Sequence, residues 1–238
     1  MKRALFLSIP LLLASLVAAS AEPGTVVAMD HGPGIFHKVV TEVDYAARDG
    51  DQWRWHVDGW IGSDVERVWI RSAGKIEDGD VEKAELQLLY GRNVHPFWDV
   101  LVGVRQDLEP DSKTWAAAGV TGLAPYFFES DVTAFLSTDG DAALRIEQSV
   151  DIPLTQKLIA EPYIEVNAYA QDMPERGIGA GFSDVELGLK LRYEITRKFA
   201  PYAALTWERA LGETASQARA AGESTDEAAL RIGIRFWF

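Results

Sequence analysis

The residues best suited to hold a cation stand near the start of the chain. Met29, Asp30 and His31 are consecutive, and His37 follows six residues later. Thioether and imidazole are ligands for soft and borderline metal ions, and an extended chain would point Met29 and His31, two residues apart, to the same side. With His37 they make a three-donor set. The alternative is coincidence in a short segment of a chain that has only three Met and four His. A second group, Glu42, Asp44, His56 and Asp58, adds carboxylates to imidazole, a donor set for divalent ions. Its alternative is a hydrogen-bonded network that stiffens the fold. His95 precedes Pro96 in a turn-like stretch, and Met173 lies among Asp172 and Glu175 in a polar one; neither forms a motif. A Ser-His-acid or Asp-His hydrolase needs a nucleophile motif beside His56, and none is recognisable, so the chain reads as a non-enzyme.

The 238 residues are 47% hydrophobic and 25% charged, with 20 Gly, 10 Pro and no Cys. Lack of Cys excludes disulfide scaffolds, thiolate metal sites, iron–sulfur clusters and thiol catalysis. A formal charge of -13 argues against a nucleic-acid partner. After Met1-Lys2-Arg3 the chain is nearly unbroken apolar sequence from Ala4 to Ala19, and Ala19-Ser20-Ala21 supplies the small residues of a cleavage site. This is the pattern of a secretory signal peptide over residues 1–21, with a retained anchor helix as the alternative. Residues 22–35 (EPGTVVAMDHGPGI) read as a short flexible arm, rich in Gly and Pro.

From residue 36 the dominant period is two. His37, Val39, Thr41, Val43 and Tyr45 share one face, and Lys38, Val40, Glu42, Asp44 and Ala46 the other; Asp49-Gly50-Asp51 then signals a hairpin. Trp53, Trp55, Val57, Gly59 and Ile61 oppose Gln52, Arg54, His56, Asp58 and Trp60 in the same way. Further segments follow at about 67–77, 82–92, 97–108, 113–123, 125–138, 142–153, 156–171, 182–196, 200–211 and 227–238, with no amphipathic helix between them. Each is near the ten residues that a tilted transmembrane strand needs.

About twelve such strands predict an antiparallel up-and-down β-barrel over residues 36–238, all-β and spanning an outer membrane. Alternate turns are compact, while the others include the long stretches 172–181 and 212–226, the asymmetry of periplasmic turns against extracellular loops. A barrel this wide cannot fill an apolar interior with side chains, so the apolar faces should meet lipid and the charges line the lumen. Trp53, Trp98, Trp115, Tyr45 and Tyr193 are expected on the lipid face near strand ends. Met173 is expected in an extracellular loop. A soluble two-sheet sandwich is the alternative.

Six stretches carry a resemblance. They are YGRNVHPFWDVLVGVRQD from Tyr90, TWAAAGVTGLAPYFF from Thr114, GIGAGFSDVELGLKLRYEIT from Gly177, FAPYAALTWER from Phe199, ARAAGE from Ala218 and the ending GIRFWF. They resemble the bacterial copper resistance protein B family, over nearly the whole span from Phe36 to Phe238. The resemblance implies an outer-membrane barrel that contributes to copper resistance by binding or moving copper ions. Its implied partners are outer-membrane lipid, copper and periplasmic copper-handling proteins. Family members commonly carry a long Met- and His-rich arm; here the arm is short and holds only Met29 and His31, with His37 just beyond. Copper(I) favours thioether and imidazole, and copper(II) imidazole and carboxylate. The expected copper residues are therefore Met29, His31 and His37, with His56, Asp58, Glu42 and Asp44 as a lumen group. A general porin or structural barrel is the alternative function, and an outer-membrane hydrolase a third.

Overall fold

A computed structural model describes residues 34–47 and 50–238. The expected signal peptide, Met29 and His31 lie outside the described residues. The strands, in chain order, are β1 (Phe36–Ala47), β2 (Asp51–Gly62), β3 (Glu66–Glu77), β4 (Asp80–His95), β5 (Trp98–Glu109), β6 (Lys113–Ala124), β7 (Phe128–Ser137) and β8 (Ala142–Ser149). They continue with a two-residue β9 (Ile152–Pro153), β10 (Leu158–Tyr169), β11 (Gly181–Tyr193), β12 (Phe199–Ala210) and β13 (Asp226–Trp237).

The twelve long strands pair with their sequence neighbours, all antiparallel, with β8 next to β10. The last returns to the first: Val40 lies opposite Trp237 and Tyr45 opposite Ile232. The ring is therefore closed, which removes the free edges that lipid could not satisfy. Even the final residue takes part, since Val39 and Phe238 exchange two backbone hydrogen bonds of 2.9 Å.

Alternation dictates which face is which. On β13, Leu230 and Ile232 are 67% and 68% exposed, while Arg231 between them is 1% exposed. Burying a guanidinium and exposing two aliphatic side chains is tolerable only where the outside is hydrocarbon and the inside polar. Aromatic pairs mark the two edges of the outer belt. Tyr45 and Trp53 meet at 4.9 Å at one end, Phe199 and Phe236 at 5.2 Å at the other. Inside, Gly188 lies beneath the Tyr163 ring and Gly233 beneath the Tyr202 ring, where a Cβ would sit 2.1 Å and 2.4 Å from ring atoms. The two longest connections, residues 170–180 and 211–225, leave from the same end of the barrel.

Four expectations need correction. Trp115 is not in the lipid-facing girdle: it points into the lumen and is 1% exposed. Strand β6 has small apolar residues on both faces, so alternation there carries no contrast. The strand expected at 125–138 starts only at Phe128, because Pro125 opens a 3-10 turn, Pro125–Phe127. The strand expected at 142–153 stops at Ser149, and Pro153, which has no N–H to donate, joins only the short β9. One helix, α1 (Gly212–Ala221), lies between β12 and β13 where none was expected; Gly222 ends it in a left-handed conformation, its N–H bonded to Ala218 and Arg219 carbonyls.

Candidate functional site

The lumen holds a continuous cavity of ≈ 990 Å³. Its lining runs from Pro96, Phe97 and Leu123 at the end of the short turns to Glu82, Glu109 and Glu227 at the end of the long loops. One sector of the wall is apolar. Trp69, Leu89, Leu101, Trp115 and Phe135, from β3 to β7, form a buried cluster that Met173 completes, with Trp60 packed against it. Guanidiniums lie on these rings, Arg67 at 4.7 Å from Trp60, Arg71 at 5.3 Å from Trp69 and Arg105 at 4.9 Å from Phe135. Such contacts let a charged lining rest on an apolar one.

Ion pairs cross the lumen between strands that are not neighbours. Arg145 of β8 donates two hydrogen bonds to Glu85 of β4, 2.7 Å and 2.9 Å. Arg71 of β3 reaches Asp131 of β7 at 2.8 Å, and Arg54 of β2 reaches Glu186 of β11 at 2.9 Å. Each strut joins strands four places apart in the ring. They stiffen the barrel and divide the lumen without closing the cavity along it.

The described lumen residues expected to take metal do come onto one patch. Glu42 lies directly opposite His56, Asp44 opposite Arg54, and Asp58 opposite Val40. Their carboxylates are engaged: Glu42 with Lys190 at 2.6 Å and Arg235 at 3.2 Å, Asp58 with Arg71 at 2.9 Å. Asp44 pairs with Arg231 at 3.0 Å and accepts a 2.9 Å hydrogen bond from the Tyr202 hydroxyl. His56 lines the cavity and is exposed to it. His37 is on the outward face at the start of β1, apart from the lumen group. Among the described residues, no three His, Asp or Glu side chains are grouped closely enough to hold a metal ion by themselves.

Register reveals an arrangement that alternation alone did not. Asp131 lies opposite Glu147, Glu147 opposite Glu165, and Glu165 opposite Glu186. Glu186 is in turn opposite Glu208, and Glu208 opposite Glu227. Six carboxylates on six successive strands thus form one row. Because barrel strands tilt by about 40° and sit about 4.8 Å apart, such a row climbs roughly 15 Å along the axis. It runs from Asp131, near the end of the short turns, to Glu227 at the outer rim.

Three arginines face the row. Arg71 takes Asp131, Arg145 approaches Glu165 at 3.5 Å, and Arg54 takes Glu186 and, at 3.3 Å, Glu208. Arg71 and Arg145 are shared with Asp58 and Glu85. The row holds more carboxylates than guanidiniums, and like charges directly opposite each other are destabilising. Asp131, Glu147 and Glu165 are recognisable from the sequence as lumen carboxylates. Their alignment with Glu186, Glu208 and Glu227 follows from counting outward from each hairpin turn, a signal that face assignment does not use.

The matched family is described as copper resistance protein B precursor, and its model covers residues 36–238, the entire barrel. The chain belongs to the copper resistance protein B family. It is 49% identical over 185 residues to copper resistance protein B of Escherichia coli, a match covering 77% of this chain and 62% of that one. It is 45% identical over 193 residues to a copper resistance protein B homolog of Pseudomonas syringae pv. tomato, covering 81% and 66%. The chain therefore spans less than two thirds of the length of these relatives. Among solved structures the barrel is similar to the NanC porin, with TM-score 0.56 at 12% identity over 83% of this chain and 98% of that one. It is also similar to the KdgM porin, with TM-score 0.51 at 9% identity and the same coverage. At these identities the likeness shows the fold. This copper resistance protein B family member is an outer-membrane β-barrel.

Proposed function

We propose that this barrel moves copper ions across the outer membrane through its lumen, as a non-enzymatic part of copper resistance. The single observation that carries the reading is the climbing row of six carboxylates in a cavity lined from both ends. A cation entering at Glu227 meets a new carboxylate at each strand, about 5 Å further on. Each step exchanges one carboxylate for the next in competition with a fixed guanidinium, so that binding stays weak enough for release. The connections at the outer end add Asp78, Asp111, Asp139, Asp172 and Glu175, whose field concentrates cations at the mouth. His56, opposite Glu42, supplies the imidazole that favours copper(II) over calcium or magnesium.

Met29, His31 and His37 are proposed as the soft donors that exchange copper with periplasmic copper-handling proteins, the barrel itself being held by outer-membrane lipid. No bond is made or broken in this account, and copper is the cargo.

The test is copper titration of the refolded mature protein beside two double variants. Met29→Ala/His31→Ala removes the arm donors. Glu147→Gln/Glu208→Gln replaces two row carboxyl groups whose side chains are 40% and 43% exposed and which bear least on the struts. Each variant is expected to bind less copper than the parent. Unchanged stoichiometry and affinity in the first removes the arm from the mechanism, and in the second removes the row. A general diffusion pore is the second reading, favoured by the continuous cavity. Permeation of sugars and chloride as fast as copper selects it.

A further inference from the structure

The loop at residues 170–180, between β10 and β11, does not stand out into solvent. Met173 is 7% exposed and packs into the apolar cluster of the opposite wall, with Trp115, Leu89 and Leu101. Arg176 reaches further still. Its Nη1 donates to Asp107 of β5 at 2.7 Å, its Nε lies 2.7 Å from an Asp111 carboxylate oxygen, and its Nη2 donates to the Asp111 carbonyl at 3.0 Å. Strand β5 is four places round the ring from β10, so the loop crosses the mouth like a strap.

The strap is preformed. Met173 and Ile178 exchange backbone hydrogen bonds of 2.7 Å and 3.1 Å around a 3-10 turn, Pro174–Arg176. Its root is tied by Ala180 N–H to Asp172 at 2.7 Å and by Gly179 N–H to the Thr214 hydroxyl of α1 at 2.9 Å. On one side it covers the sector of Trp115, Phe135 and Tyr169. On the other, the cavity still reaches the rim beside Glu82, Lys83 and Glu227.

We propose that residues 170–180 are a movable strap that sets the aperture of the outer mouth, with Arg176 as its latch. The two ends of the strap differ in how firmly they are held. Its root is bonded within the loop and to α1, whereas its tip is held by the Arg176 guanidinium and by the apolar packing of Met173 and Ile178. Asp107 is 2% exposed and also accepts from Arg105 and the Trp115 indole, so it is a fixed post. Asp111 is 54% exposed on the outer surface and is the partner that solvent cations can reach. The strap therefore releases at its tip and swings about its root, which widens the entrance to the row. The inference rests on a lumen that conducts, but the latch itself can be read without conduction.

The chain contains no cysteine, so Met173→Cys gives a single thiol under the strap. Cells bearing Met173→Cys alone and Met173→Cys/Arg176→Ala are treated with a membrane-impermeant maleimide. The latch predicts at least tenfold faster labelling in the second, with Met173→Cys/Arg219→Ala, altered only in α1, labelling at the slow rate. Equal rates with and without Arg176 overturn the proposal. Heat-modified gel mobility confirms that each variant is a folded barrel, and Arg176→Lys is expected to restore part of the protection. In planar bilayers, Arg176→Ala is expected to raise single-channel conductance several-fold. Raised conductance without cation preference keeps the strap and contradicts the copper pathway; cation preference with unchanged conductance does the reverse. A barrel silent in every form contradicts the copper pathway, and the labelling rates then decide the strap.

Discussion

At the scale of single residues, the lumen is an exercise in keeping charge inside a membrane. Glu85 is 3% exposed and is held by Arg145 and by Arg105 at 3.1 Å. Taking both charges out of water carries a large desolvation penalty, which close geometry offsets only while both partners remain. Removing Arg145 breaks the bidentate pair and leaves Glu85 to Arg105. Arg145→Met is therefore expected to destabilise the folded barrel by about 3–5 kcal/mol, read as a lower denaturant midpoint in lipid vesicles. Replacing Arg145 and Glu85 together by apolar residues should cost less. Outside the membrane, at the β7–β8 turn, Asp141 shows the surface version of this effect. A hydrogen bond from the Lys113 ammonium holds its carboxyl below the usual carboxylate range. Because the folded value is depressed, this contribution is present above the unfolded value of about 3.9 and is lost as pH falls through the folded one. NMR titration of Lys113→Ala should show Asp141 titrating at higher pH than in the parent; an unmoved titration point would mean that the pair contributes nothing.

At the scale of elements, each strand is a two-faced object whose outer face is selected for lipid. Leu187, 41% exposed, stands at the centre of β11 on its lipid face. Leu187→Arg is expected to cost about 2–4 kcal/mol in a bilayer, and an effect no larger than that of an outer-loop substitution would contradict the assigned face. Strand number, face and closure were legible because the apolar residues recur at period two on almost every strand, down to Leu230, Ile232 and Ile234. Strand β6 was the exception: Trp115, Ala117 and Gly119 face in while Ala116, Ala118 and Val120 face out, and apolarity cannot choose between them. Register was less legible. Glu42 and Asp44 could be placed inside from β1 alone, but their capture by Lys190 and Arg231 brings together residues 148 and 187 positions apart. The strap was not legible at all, since residues 170–180 are polar and turn-rich and nothing local says that they fold inward.

At the scale of the whole molecule, the acidic surplus of the chain becomes directional. It is concentrated on the outer connections and along a row that descends into the lumen, while arginines strut the same space. Six carboxylates aligned strand by strand repel one another, and passage of a cation, as proposed, would relieve that repulsion. Under the proposed function that cation is copper, in keeping with membership of the copper resistance protein B family. The measurement that bears on this most directly is flux into liposomes carrying the refolded mature protein, with copper, chloride and a neutral sugar assayed in parallel. Copper is expected to enter much faster than chloride or sugar, and Glu147→Gln/Glu208→Gln to slow copper several-fold while leaving sugar entry unchanged. Equal entry of all three, or copper entry indifferent to the loss of those two carboxylates, would contradict the account.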